Sequence, residues 1–136
     1  MDKLSLDDVL DLSIFTTPVA YNKKAKSRFH KQGARVLHQL ASHLGYGVGD
    51  YDLRHNQGGI AVSGEIILHS NTLYIQLSQL ALGLDQSFMW RTCRGRRDYT
   101  GGHNNWMPWE RLADLPSVAR VMLRAVGRGA QVVATR

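Results

Sequence analysis

Arg94, Arg96 and Arg97 are gathered in one loop with Gly95, Gly101 and Gly102, and Arg91 lies just before them. A guanidinium is a planar fork of donors that matches phosphate or carboxylate oxygens, and glycine lets backbone amides come close to an anion. Thr100, His103, Asn104 and Asn105 add neutral hydrogen-bonding groups, while Tyr99, Trp106 and Trp109 add flat surface for stacking. Arginine interleaved with aromatics and glycine is the chemistry that single-stranded nucleic acid or a nucleotide calls for. A connection as long as Arg94 to Asn105 is also uncommon without a function. The plain alternative is a polar loop whose tryptophans anchor it to the core, with Asp98 pairing a neighbouring arginine to hold its shape.

A second cationic set lies at helical spacing. Lys24, Arg28, Lys31 and Arg35 step by four, three and four, and His38 and Ser42 continue the row. No Asp or Glu occurs from residue 21 to 48, whereas a face kept merely soluble mixes the signs. Arg120, Arg124 and Arg128 make a shorter row near the C-terminus. A third candidate is the polar face of a sheet, where an exposed Tyr74 beside Ser63, Gln76 and Arg54 would form a stacking platform; a cross-strand pair of Tyr74 with Ile67 is the competing use of that ring.

Catalytic constellations are sparse. The six histidines show no H-x-x-x-H, no Cys/His pair has zinc-ligand spacing, and there is no G-x-x-x-x-G-K-[ST] phosphate loop. Cys93, the single cysteine, would gain nucleophilicity if Arg91 and Arg94 lowered its thiol pKa with His103 as base, but a lone cysteine on a strand is more often a small buried hydrophobe. A nuclease built on Asp52, Glu65 and an arginine would lack the acid-x-lysine spacing common in metal-dependent nucleases. The residues point away from an enzyme, and no cofactor or metal is expected.

Composition bounds the partners. With 136 residues, 43% hydrophobic and 21% charged, the chain has the proportions of one globular domain over its whole length. Residues 1–21 hold four aspartates against Lys3 (−3), and the remainder holds 16 Lys/Arg against 7 Asp/Glu (+9), which together give the net +6. A basic body favours acidic partners. The acidic N-terminus has no basic stretch followed by an apolar run, so no signal peptide is expected. No apolar run approaches the roughly 20 residues of a membrane span. A cytoplasmic protein without membrane association is the expectation.

These residues need elements to place them. Phe29, Val36, Leu37, Leu40 and Leu44 predict an amphipathic helix over 22–44, stopped by Gly45. From Asp50 the period becomes two: strands are predicted over 50–55, 60–69, 72–78 and 88–93, with turns at Asn56–Gly59 and Ser70–Asn71. The Ser70–Asn71 turn pairs Leu68 with Leu73 and Ile66 with Ile75. Pro108–Ala113 reads as a short helix, and Asp114 caps another that Gly127 ends, leaving 128–136 as a tail or edge strand. The expected fold is α+β in two layers: a long N-terminal amphipathic helix, a four-stranded antiparallel meander and a C-terminal helix. The acidic, apolar segment 1–20 packs on this body or on a neighbouring subunit, which would make a homo-oligomer.

Two functions fit. The first is a non-enzymatic domain that binds nucleic acid or a nucleotide through Lys24, Arg28, Lys31 and Arg35 together with Arg91, Arg94, Arg96, Arg97, Tyr99, His103, Asn104 and Trp106. The second is a small interaction or inhibitor protein, of the kind phages direct at host machinery, that docks these arginines and tryptophans on an acidic protein surface.

Overall fold

Apolar residues at helical spacing build the first element of the computed structural model, which describes residues 23–56, 64–78, 88–99 and 102–134, with side chains from 27 to 127. Helix α1 (Lys23–His43) buries Phe29, Val36, Leu37, Leu40 and Ala41, with Leu44 just beyond it. Its end follows from glycine: Gly45 has φ +83°, its N–H reaches Ser42 O at 3.0 Å, and Tyr46 N–H reaches Ala41 O at 2.9 Å. This pair of bonds satisfies carbonyls that the helix leaves open.

Five strands follow: β1 (Tyr51–Asn56), β2 (Glu65–Ser70), β3 (Leu73–Ser78), β4 (Phe88–Thr92) and β5 (Asn105–Met107). They form one antiparallel sheet in the order β1-β2-β3-β4-β5. The expectation of four strands is corrected by β5, a three-residue edge strand too short for alternation to reveal. It pairs Phe88 with Met107 and Trp90 with Asn105. A 3₁₀ helix (Trp109–Ala113) and helix α2 (Leu115–Ala134) complete the order. Asp114 starts α2, its Oδ1 accepting from Ser117 N–H at 3.3 Å. The helix passes through Gly127 instead of stopping there, since one helical glycine costs only about 1 kcal/mol and no proline follows.

The β2–β3 turn also departs from expectation. Leu68 pairs with Ile75 and Ile66 with Leu77, which places the turn on Asn71–Thr72. Ser70 holds it from the strand end, its Oγ accepting from Thr72 N–H at 3.2 Å and Leu73 N–H at 3.0 Å. The expected register is thus off by two residues, and a shift of two leaves every side chain on the same face.

Leu68, Ile75 and Trp90 line up across one sheet face, as do Ile66, Leu77 and Phe88, and they share a core with α1 and α2. Gly33 admits α1 to β2: a Cβ there would lie 2.1 Å from Ile66 Cδ1. Among the described residues no helix is long and apolar enough to cross a membrane. The segment 1–20, the Gly58–Gly59 turn, Ser63 and the 79–87 connection lie outside the described residues.

Glycine substitutions separate backbone need from helix propensity. Gly102 has φ +83°, and a Cβ there would sit 2.0 Å from Thr92 O, whereas one on Gly127 meets nothing within 4 Å. Gly102→Ala should cost at least about 1–3 kcal/mol from backbone strain alone, and Gly127→Ala should add about 0.5–1 kcal/mol. Thermal melts of the two variants should move in opposite directions from wild type.

Candidate functional site

Pleating sends Asp52, His69, Tyr74 and Arg91 to the sheet face opposite the helices, in one row across β1 to β4. The next row on that face is Arg54, Ile67, Gln76, Met89 and Trp106. Residues 93–99 fold back over the first row. Gly95 O accepts from Asp98 N–H at 3.1 Å, closing a turn, and Arg94 N–H donates to Asp98 Oδ2 at 3.0 Å. Gly95 O also lies 2.9 Å from His69 Nε2.

His69 ties this loop to the sheet. It is fully buried, and a carbonyl can only accept, so Nε2 carries the proton and Nδ1 is left as an acceptor. Arg54 Nη2 approaches that Nδ1 at 3.4 Å. Burial is the main cause that holds the imidazole below its ordinary pKa of 6.5; its bond to Gly95 opposes this, and Arg54 and Arg91 add to it. The rings of Tyr74 and Tyr99 meet His69 edge-on at 5.2 and 5.5 Å between centroids.

The arginines divide into two kinds. Arg91 lies with Cζ 4.1 Å from the Tyr74 ring centroid, donates to Tyr99 O, and reaches Asn104 Oδ1 at 3.4 Å. Arg96 donates to Gly49 O and pairs with Asp52 Oδ1 at 3.6 Å. These two therefore hold the loop in place, and the Nε atoms of both are buried without a partner. Arg94 and Arg97 are exposed at the turn, as are His103 and Asn104 before β5. Arg54 stacks over Tyr99 at 5.2 Å. Arg91 and Arg54 are held by neutral groups, so their charge stays on this face.

No known family, curated protein or solved structure matches the chain.

The aromatic groups need correcting. Tyr74, expected at the surface, is 8% exposed, lies under Arg91, and pairs across strands with His69 and Arg91 instead of Ile67. Trp109 packs at the edge of the core. The stacking surface left is Tyr99, 55% exposed, and Trp106, 49% exposed. Cys93 is not activated: burial is the main cause that pushes its thiol pKa up, and its Sγ lies 3.4 Å from Ser70 O. Among the described residues no three His, Cys, Asp or Glu side chains converge as metal ligands.

The row on α1 stands apart from this site. α1 packs through Gly33 against Ile66, on the face opposite His69. Arg28 and Lys31 are exposed and Arg35 is half-buried, while Lys24 lies in the first turn, where the backbone alone is described. The sequence leaves open whether row and loop share one surface; the sheet separates them. His69 carries no sequence signal beyond its place on the alternating polar face, and Arg54 has only a flanking place there. Nothing local in the sequence marks the fold-back that gives both their work.

The His69 contact has a pH signature. Its proton binds the unfolded chain more readily, so its contribution to stability is fully present above about pH 6.5 and is lost as pH falls through the lower folded-state value. Wild-type melting temperature should fall between pH 7.5 and 5. His69→Gln, less stable at pH 7.5, should fall by less over that interval; parallel curves would assign the pH dependence to other groups.

Proposed function

We propose that the chain is a non-enzymatic binding domain for a phosphate-bearing ligand, and that the ligand is single-stranded nucleic acid carried by the 93–99 loop and the adjoining sheet face. One observation carries the reading: exposed Arg94 and Arg97 stand on a pinned loop that carries the exposed ring of Tyr99, above arginines held by neutral groups, and the β5 edge of the same sheet face presents a second exposed ring, Trp106. Guanidiniums that are not neutralised within the fold attract a phosphate backbone. Exposed rings accept unstacked bases, each stack contributing about 1–3 kcal/mol. A loop fixed in advance loses little freedom on binding. Arg91 and Arg96 act here as positioning residues, and His103 and Asn104 supply hydrogen bonds at the rim.

Docking on an acidic protein would use the same arginines with Trp106, and salt sensitivity alone does not separate the two readings. Direct binding of a labelled oligonucleotide does. Affinity of wild type for an unstructured 12-nucleotide strand should fall with salt at a slope of about −0.7 for each phosphate neutralised. The double variant Arg94→Ala/Arg97→Ala should bind more weakly and shallow that slope by about 1.4. Trp106→Ala should weaken binding by roughly 5- to 100-fold with the slope unchanged. No binding at low salt removes this reading, and a protein partner recovered after nuclease treatment would establish the other.

A further inference from the structure

The helices of this chain carry cations without carboxylates. α1 holds six Lys/Arg and α2 three, and neither contains an Asp or Glu. The two helices pack on each other and share one face of the sheet. Arg28 and Lys31 on α1, with Arg120 and Arg124 on α2, are exposed, and Arg35 is half-buried. The nearest carboxylates in sequence to α2, Glu110 and Asp114, stand before its first residue.

Folding alone does not ask for this pattern. The N-terminus of a helix carries partial positive charge and favours carboxylates, each worth about 0.3–1 kcal/mol. α1 has no acidic residue in its first turn and has Lys23, Lys24 and Lys26 there or next to it. Like charges at one end of a helix, continued along two adjacent helices, repel one another.

We infer that the outer face of α1 and α2 is a second nucleic-acid surface, one that takes the phosphate backbone of a duplex. The choice of a duplex rests on what this face lacks and on how its charges are mounted. Among the described residues the exposed large hydrophobics are Val48, Tyr99, Trp106 and Leu123, so α1 and α2 present no exposed ring for an unstacked base. Its cations ride on rigid helices. From Arg28 to Arg35 the axis rises about 10 Å, and duplex DNA offers about six phosphates over that length, one per roughly 1.7 Å. α2 lies beside α1 at a typical interaxial distance of about 8–10 Å, so its arginines form a second row. A rigid cation array without stacking surface binds backbone and is indifferent to sequence.

The surface lies on the opposite side of the sheet from the 93–99 loop, so the inference does not rest on the single-strand reading. If both hold, one copy of the domain contacts a duplex on one side and a single strand on the other.

The test uses the full chain and two probes, a blunt 20-base-pair DNA duplex and an unstructured 12-nucleotide strand, titrated from 50 to 300 mM NaCl. Arg28→Ala/Lys31→Ala/Arg120→Ala/Arg124→Ala should weaken duplex binding at least about tenfold at 50 mM salt and shallow its salt slope by about 3.6. Its affinity for the single strand should stay within about twofold of wild type, which also shows that the fold is intact. Should the fourfold variant fail to fold, Lys31→Ala/Arg124→Ala removes one cation from each helix and should shallow the slope by about 1.8. Arg94→Ala/Arg97→Ala should change duplex affinity by no more than about twofold. Wild type that ignores the duplex at 50 mM salt, or helix variants that bind it as wild type does, overturn the inference. If single-strand binding is absent while helix variants that melt as wild type does lose the duplex, the inference stands and the single-strand reading alone falls.

Discussion

Leu68 and His69 are neighbours on β2, both with no exposed surface, and pleating sends them to opposite sides of the sheet. Leu68 joins the core under α1 and α2. His69 has no helix to meet, and it is a polar group that must find partners where it is buried. It finds them in Gly95 O and the Arg54 guanidinium, and the fold-back of the 93–99 loop is the structural consequence. The remaining loop contacts follow in the same region: Arg91 to Tyr99 O, Arg96 to Gly49 O and Asp52. Without a partner at His69, the loop loses this bond to a fully buried group and the arginines lose their common footing.

Arginine suits this role because its aliphatic stem and planar head do different work. Arg91 covers Tyr74 with its head while its terminal nitrogens bond outward. A lysine there would offer a point charge without the plane. The same plane lets Arg54 lie over Tyr99. Arg91 and Arg96 thus hold in position the loop on which Arg94 and Arg97 are exposed.

That division shows what the sequence makes legible. The helix over α1 and the inward and outward faces of β2 and β3 follow from periodicity, because burial acts on every turn or every second residue. Register does not follow, because a slip of two residues preserves every face; Ser70, read as part of the turn, acts instead as the side chain that holds it. β5 escaped because three residues carry no period, and α2 ran past Gly127 because helix continuation outweighs one residue's propensity. Arg94, Arg97, Tyr99 and Trp106 were legible as surface groups by type. Tyr74 is buried and Trp109 packs on the core where surface rings were expected, and the loop-holding contacts of Arg91 and Arg96 carry no local signal, because these contacts come from strands and turns distant in sequence.

Two like-charged surfaces on opposite sides of one sheet also set how they interact. A helix is about 10–12 Å across with its side chains, so the outer cations of α1 and α2 stand a full helix diameter from the sheet and farther still from the loop arginines beyond it. The Debye length is about 8 Å at physiological ionic strength and about 30 Å at 0.01 M. At physiological salt the repulsion between the two sets is largely screened, and each attracts anions on its own account. At low salt both contribute to one field, and an anion bound on either side relieves the charge felt on the other. The positive charge of the helices and of the loop is thus held on two faces that the sheet keeps apart, and ionic strength sets how far their fields combine.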